Sequence, residues 1–319
     1  MSRCSRRRLL LALPLLLLAE VMIDPVIRAA GKEFVATGIV HENELPAFEH
    51  VLHAVQRLRD SPIPEFILLG LALIPAFLLQ PEWRSGGPSS WHSTGQNWTA
   101  AGWWFVAIST PLFRFVLLRW VFRYFVWALL LWRISRLPLH LMATHPDRAA
   151  GLGFLSIAQG CFGILLFALG CVFAGHVANS VVHEGSPLTS FRIVIPAFIV
   201  LSAAIGLCPL ALWTPTMSRV RKEGLRQYAR LGDRYAQAFD RKWVQAAEPP
   251  AEPLLGTADV QSLADLGNSY AVIQQMSLAP ITKGLAALLT VMASAPLLPI
   301  AIYATPTSDI VKAILKIIA

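Results

Sequence analysis

Charge is the scarcest commodity in this chain. Only 14% of its 319 residues are Asp, Glu, Lys or Arg, while 55% are hydrophobic; an ordinary soluble domain is about 25% charged. The mean hydropathy of +0.55 agrees, so a water-soluble globule is excluded. Cysteine is also sparse: Cys4, Cys161, Cys171 and Cys208 are the four present, and the last three lie in apolar segments, where a thiol is usually a small hydrophobe. With no CxxC pair and no Cys/His cluster, neither a disulfide framework nor a zinc site is supported. No P-loop, HExxH, GxSxG or dinucleotide fingerprint occurs, so no catalytic residue, metal or cofactor is expected. The net charge of +8 resembles a nucleic-acid signal until its placement is examined. The cations sit in a few loops and at segment ends, without the aromatic-interleaved face that binding a nucleic acid needs.

What the chain does have is long apolar runs. A bilayer-spanning helix takes about 20 mostly apolar residues at 1.5 Å each. Six segments qualify: 9–27, 64–79, 104–131, 152–177, 194–213 and 285–303. The second is short, carries Pro75, and could be re-entrant; the sixth carries Pro296 and Pro299, which must kink it. The expected fold is therefore all-α, a polytopic transmembrane bundle of about six spans. Residues 1–218 would hold the first five spans, 219–283 a cytoplasmic helical insert, and 284–319 the last span with an interfacial helix.

Sidedness follows from Lys and Arg in short connections. Eight cations between Arg219 and Lys242 place that stretch in the cytoplasm, and Arg133, Arg136 and Arg148 fall on the same side. The connections 179–191, with no Lys or Arg before Arg192, and 81–103, with Arg84 alone, fit the outside. The amino terminus conflicts with this alternation, because Arg3, Arg6, Arg7 and Arg8 precede the first span. A preceding span that this chain lacks, a re-entrant 66–79 segment, or a cleaved signal peptide would each resolve the conflict.

The sharpest chemical signal is charge within apolar runs. Arg114, Arg119 and Arg123 interrupt the third segment, and a guanidinium at bilayer depth costs about 2.5–3.5 kcal/mol or more unless an acid, water or the interface receives it. Glu20 and Asp24 lie four apart on the first segment, as do Arg119 and Arg123 on the third. Parallel helices would match these pairs into a ladder, Glu20 with Arg119 and Asp24 with Arg123. Such a ladder either fixes register between spans or lines an anion or proton path. Spacings of five and four between the arginines exclude a voltage sensor, which wants a cation at every third position.

Other polar groups are weaker signals. His176 and Asn179, near the outer end of the fourth segment, fit an interhelical hydrogen bond or a polar relay. Glu49, His50 and His53 share a helix expected over 44–59 but lack a third metal ligand. Thr144, Pro146 and Asp147 read as a helix start; the same loop, with His145, Asp147 and Arg148, could hold an anion. Small residues four apart (Ser156/Gly160, Gly170/Ala174, Ser202/Gly206) allow close helix approach, within the bundle or in a homo-oligomer. Tryptophans 83, 91, 98 and 103 suit a belt in the headgroup zone or a lid. The helix expected over 219–243 presents cations that would attract anionic headgroups. A second helix over 260–276 has Ser262 and Asp265 spaced as a capping box, and 307–319 suits an interfacial helix.

Three stretches carry a resemblance: THPDRAAGLGFL from Thr144, AFDRKW from Ala238, and PLLG from Pro253 continuing as DVQSLADLGNS from Asp259. Together they resemble a family of bacterial multi-pass integral membrane proteins to which no activity is assigned, over the chain from about Leu13 to its end. The resemblance implies one further span ahead of 9–27, where the basic residues Arg6, Arg7 and Arg8 stand here. The expected function is that of a channel or transporter with an Arg/acid polar path. The alternative is a scaffold or sensor whose insert binds a partner or anionic lipid.

Overall fold

A computed structural model describes residues 3–78, 93–94, 97–183, 185–245 and 258–304. The first helix is 34 residues long, α1 (Arg3–Ala36), with four arginines in its first six residues, an apolar run from Leu9 to Ala19 and charged residues spaced through the part beyond. Then come α2 (Leu45–Arg59) and α3 (Pro62–Leu78), separated by Asp60 and Ser61. A two-residue antiparallel ladder, β1 (Ser93–Thr94) with β2 (Asn97–Trp98), precedes α4 (Ala100–Trp104). A π-turn, Phe105–Ser109, leads into α5 (Thr110–Ile134). The remaining helices are α6 (Phe154–Gly160), α7 (Gly163–His183), α8 (Val194–Ala211), α9 (Thr214–Phe239), α10 (Ala258–Gln274), α11 (Lys283–Ser294) and α12 (Leu298–Ala304).

Among the described residues, four helical stretches are long and apolar enough to cross a membrane: Ala107–Ile134, Phe154–Val182, Leu188–Ala211 and Lys283–Tyr303. The protein is therefore a helical multi-pass membrane protein. The described part of α3 is 17 residues, about 26 Å at 1.5 Å per residue. Its exposed Phe66, Ile67 and Ile74 turn an apolar face outward, as Val200 and Leu201 do on α8.

Packing centres on α7, which touches α1, α8, α11 and α12, while α11 wedges against α7 and α8. Glycines make this possible. A Cβ at Gly170 would lie 2.7 Å from the Ala293 carbonyl oxygen, and one at Gly206 would meet Leu166 and Leu289 at 3.0 and 3.1 Å. The small residues thus serve contacts within this chain. Toward the charged end, Phe34 of α1 is fully buried, edge-on to Phe154 at 5.0 Å and stacked on Trp213 at 6.0 Å.

Pro209 sits inside α8 and has no N–H for the Ile205 carbonyl one turn back. The Tyr124 hydroxyl of α5 donates to that oxygen instead. Gln159, fully buried, joins the neighbouring carbonyl to α5: its Nε2 donates to Gly206 O at 2.6 Å, and its Oε1 accepts from Trp127 Nε1 at 2.9 Å. The amide orientation is unambiguous, since indole only donates and a carbonyl only accepts.

The charged end is a tied layer. Helices α9 and α10 run antiparallel, with Arg221 donating to Gln274 O and Tyr235 to Asp259 O. Lys242 and Trp243 both bond the Asp259 carboxylate, at 2.8 and 3.0 Å. Thr216 joins α9 to the end of α5 through Ser135 O at 3.0 Å. Two local expectations are corrected here. Ser262 is interior to α10, which already starts at Ala258, so Ser262 and Asp265 form no capping box; Asp265 accepts from Gln261. The side-chain cap observed is Thr282, which accepts from Leu285 N at 3.1 Å and starts α11. The tail 307–319 and the tryptophans at 83 and 91 lie outside the described residues.

Gly170→Ala should lower thermal stability in detergent by about 1–3 kcal/mol through overpacking against backbone. Gly232→Ala, in a helical site with open space, should raise it by about 0.5–1 kcal/mol. Equal effects at the two sites would contradict the packing described.

Candidate functional site

Helices α1 and α5 run in the same direction, because successive contacts ascend both. Trp120 Nε1 donates to Leu16 O at 2.9 Å, and Arg123 Nη1 lies 3.5 Å from Asp24 Oδ1. Farther on, His140 N donates to Ile39 O at 2.8 Å. Helix α2 then turns back along α5, and α3 continues along it. Because α2 stands off α1, a cleft of about 720 Å³ opens among α1, α2 and α5.

The cleft has an apolar floor and a charged rim. Val55, Phe48, Trp120, Trp127 and Leu130 are buried in its wall. Both tryptophan N–H groups are already bonded, Trp120 to Leu16 and Trp127 to Gln159, so the indoles present hydrocarbon to the cleft. Along the rim stand Asp24, Arg28, Lys32, Glu49, Arg59 and Arg123. Asp24 is shared: its Oδ1 faces Arg123, and its Oδ2 lies 3.9 Å from Arg28 Nη2. Arg123 also stands 5.4 Å over the Trp120 ring, a cation–π arrangement. Arg59 and Asp60 pair through two bonds, at 2.8 and 3.3 Å. That bond lowers the Asp60 carboxyl below its ordinary range and raises the guanidinium of Arg59.

The arginines of α5 are thus met by acids from two helices. Asp24 faces Arg123, as the ladder expected. Arg119 Nε lies 3.9 Å from Glu65 Oε1, an α3 carboxylate that the sequence reasoning missed. Glu65 reads in sequence as an acidic residue of a helix's first turn, and that disguised it. The Glu20 side chain, expected opposite Arg119, lies outside the described residues. Arg114 is part-buried, and its Nη1 is enclosed without a hydrogen-bond partner among the described residues. Also missed were Arg28, Lys32 and Arg59, which looked like ordinary connection charges, and Gln159, a single amide in an apolar run.

His145, Asp147 and Arg148 form no helix start. Asp147 Oδ1 accepts from Ala149 N at 2.7 Å and Gly151 N at 3.2 Å, and Oδ2 accepts from Gly153 N at 2.9 Å. The carboxylate therefore gathers amides from a loop, and the helix waits until Phe154. The backbone turns left-handed at Arg148 (φ 54), Ala150 (φ 57) and Gly151 (φ 91) to aim them. His145 Nδ1 lies 2.7 Å from the same Asp147 Oδ1. Since this acid already occupies the amides, they do not form an open anion cradle. Burial alone would raise the Asp147 carboxyl; the three amides and His145 outweigh it and hold the group below its ordinary range. Ser277 N donates to Arg148 O at 2.8 Å and ties the loop to the α10–α11 connection.

His176 is exposed on α7, while Asn179, three residues on, is buried. No group of three or more His, Cys, Asp or Glu suited to a metal occurs among the described residues. Comparison with known proteins finds no family profile, no curated protein and no solved structure that matches this chain.

Two predictions follow from this geometry. A double-mutant cycle on Asp24→Asn and Arg123→Gln should give a coupling of roughly 1–2 kcal/mol, because Arg123 is only 17% exposed. The cycle on Glu65→Gln and Arg119→Gln, with side chains 55% and 37% exposed, should stay below about 0.5 kcal/mol. Additive losses at Asp24 and Arg123 would remove that pair from the account. Asp147→Ala should cost about 1–3 kcal/mol. As the folded carboxyl is lowered, its contribution is complete above the unfolded value near ~4 and vanishes as pH falls through the folded value. Thermal melts of wild type and variant from neutral to acid pH should therefore converge only at the acid end.

Proposed function

We propose that the protein is a bacterial inner-membrane protein of about six spans. The apolar half of α1, and α3, would add to the four spanning helices, and the charged end, with residues 219–283, would face the cytoplasm. The clustering of cations on α9 and at the end of α5 supports this sidedness, because Thr216 and Ser135 hold those elements together. Arg148 belongs to the same layer through Ser277.

At this end the protein binds an anion and passes it along in the manner of a channel or transporter. The observation that carries the reading is the shared carboxylate. Arg123 from α5 and Arg28 from α1 converge on Asp24 at the edge of an open cleft. Two cations on one acid leave local positive charge in a place where apolar walls weaken screening. Arg119 and Arg114, farther along α5, extend a cationic row toward the opposite end.

A second reading has one observation in its favour. Pro215, Ser218, Arg219, Lys222, Glu223 and Arg226 line a hollow of about 470 Å³ along one stripe of α9. A scaffold or sensor holding anionic lipid or a partner there would need no path through the bundle.

Purified protein reconstituted in liposomes separates the two. Anion efflux followed by an entrapped anion-sensitive dye should exceed that of empty vesicles and should fall away in Arg123→Gln. No efflux above empty vesicles for chloride, phosphate or small carboxylates would overturn the transport reading.

A further inference from the structure

The walls of the α1–α2–α5 cleft carry more information than its charge. A small anion held at the rim would leave unused a floor built from Trp120, Trp127, Val55 and Phe48, whose two indole N–H groups are already spent on Leu16 and Gln159. These side chains are almost wholly enclosed, so the interior of the cleft is a hydrocarbon environment that favours an apolar group over water. The rim presents the opposite chemistry. Arg28 and Lys32 stand one turn apart on α1, on the same edge of the cleft, with Arg123 and Arg59 beyond them. A ligand that satisfies both surfaces has hydrocarbon on one side and an anionic group at one end.

We propose that this cleft binds a single-chain anionic lipid of the fatty-carboxylate type. Its hydrocarbon would lie along Leu52 and Trp127, and its carboxylate at Arg28 and Lys32. The proposal rests on the anion-binding reading of the same site and specifies the substrate class. Three features favour one chain over a two-chain phospholipid or a protein helix. The cleft, at about 720 Å³, falls within the ~300–1,000 Å³ range of pockets that hold one small ligand. Its apolar lining is drawn from α1, α2 and α5, which enclose one continuous cleft. Its rim carries four cations, Arg28, Lys32, Arg59 and Arg123, against the two acids Asp24 and Glu49, and a single carboxylate can accept bidentate guanidinium bonds there. The location suits a ligand drawn from the bilayer. The cleft opens where α1 passes from its apolar half to its charged half, at Asp24 and Arg28.

Photolabelling tests this directly. The full-length protein in nanodiscs of neutral lipid is irradiated with a diazirine analogue of palmitate, and the labelled peptides are mapped. Label should concentrate on the α2 and α5 residues facing the cleft, and excess palmitate should compete it away. Palmityl alcohol, which has the same chain and no charge, should compete at least about tenfold more weakly. Leu52→Trp, which fills the cleft, should cut labelling about tenfold. Because that variant could disturb folding, the exposed rim double change Arg28→Gln with Lys32→Gln provides an independent check. It should also cut labelling about tenfold, with the melting temperature unchanged.

Label spread over the lipid-facing surfaces of α3 and α8, or undiminished in both variants, overturns the proposal. So does equal competition by palmityl alcohol. A shift in oligomeric state by light scattering in Leu52→Trp, with labelling intact, would make the cleft a subunit contact and likewise overturn it. If label fails to map while Arg123-dependent efflux persists, the lipid inference falls alone. If label maps and efflux is absent, transport falls and the binding site stands.

Discussion

Gln159 holds the centre of this molecule because nothing else can. In an apolar bundle a backbone carbonyl released by proline has no water to turn to, and an unsatisfied one costs several kcal/mol. Pro209 creates that problem in α8. Tyr124 answers it at Ile205, and Gln159 bonds the adjacent Gly206 carbonyl. The Gln159 amide also donates to the Tyr124 hydroxyl at 3.5 Å and accepts from Trp127. One buried side chain on α6 thus couples α8 to α5. It also fixes the rotation of an indole whose other face walls the cleft. The polar network and the apolar site thus share a residue, Trp127, which ties the cleft wall to α8 through Gln159.

The same accounting explains where the charges sit. Arg119 and Arg123 are neighbours on α5 but meet acids from different elements, Glu65 on α3 and Asp24 on α1. Pairs distributed in this way specify which helices adjoin α5 and in what order, a role for which buried ion pairs are better suited than for raw stability. The spacing is loose: 3.5 Å for Asp24–Arg123 exceeds the ~2.7–2.9 Å of a tight charge-assisted bond. A pair of this kind can exchange partners with a bound anion at less cost than a tight one.

Much of the helix layout was legible in the sequence, because apolar runs and charge breaks report burial directly. The parallel match of Asp24 with Arg123 was legible too, since two i,i+4 pairs on adjacent spans leave few alternatives. What sequence could not convey was orientation about each helix axis. Nothing in α2 says that Leu52 and Val55 look across a gap toward Trp120 and Trp127 rather than packing shut against α1. Likewise, Thr144-His145-Pro146-Asp147 carries every local mark of a helix start. The competing outcome, Asp147 capturing amides as far along as Gly153, depends on left-handed geometry at Arg148 and Ala150. Those residue types do not advertise it. Gln159 was invisible for a related reason: its importance is set by Pro209, fifty residues away in the chain.

The cleft connects these points to function. Arg123 is only 17% exposed, and Trp120, Val126, Trp127 and Leu130 beside it on α5 are buried. Asp24 of α1 meets Arg123 at the rim, and Arg59 at the end of α2 lines the same cleft. A groove whose floor is apolar and whose rim is cationic has the polarity profile of a boundary between hydrocarbon and water. That profile selects for molecules that already straddle such a boundary, and this is the physical reason to look for its ligand among amphiphiles before freely soluble ions.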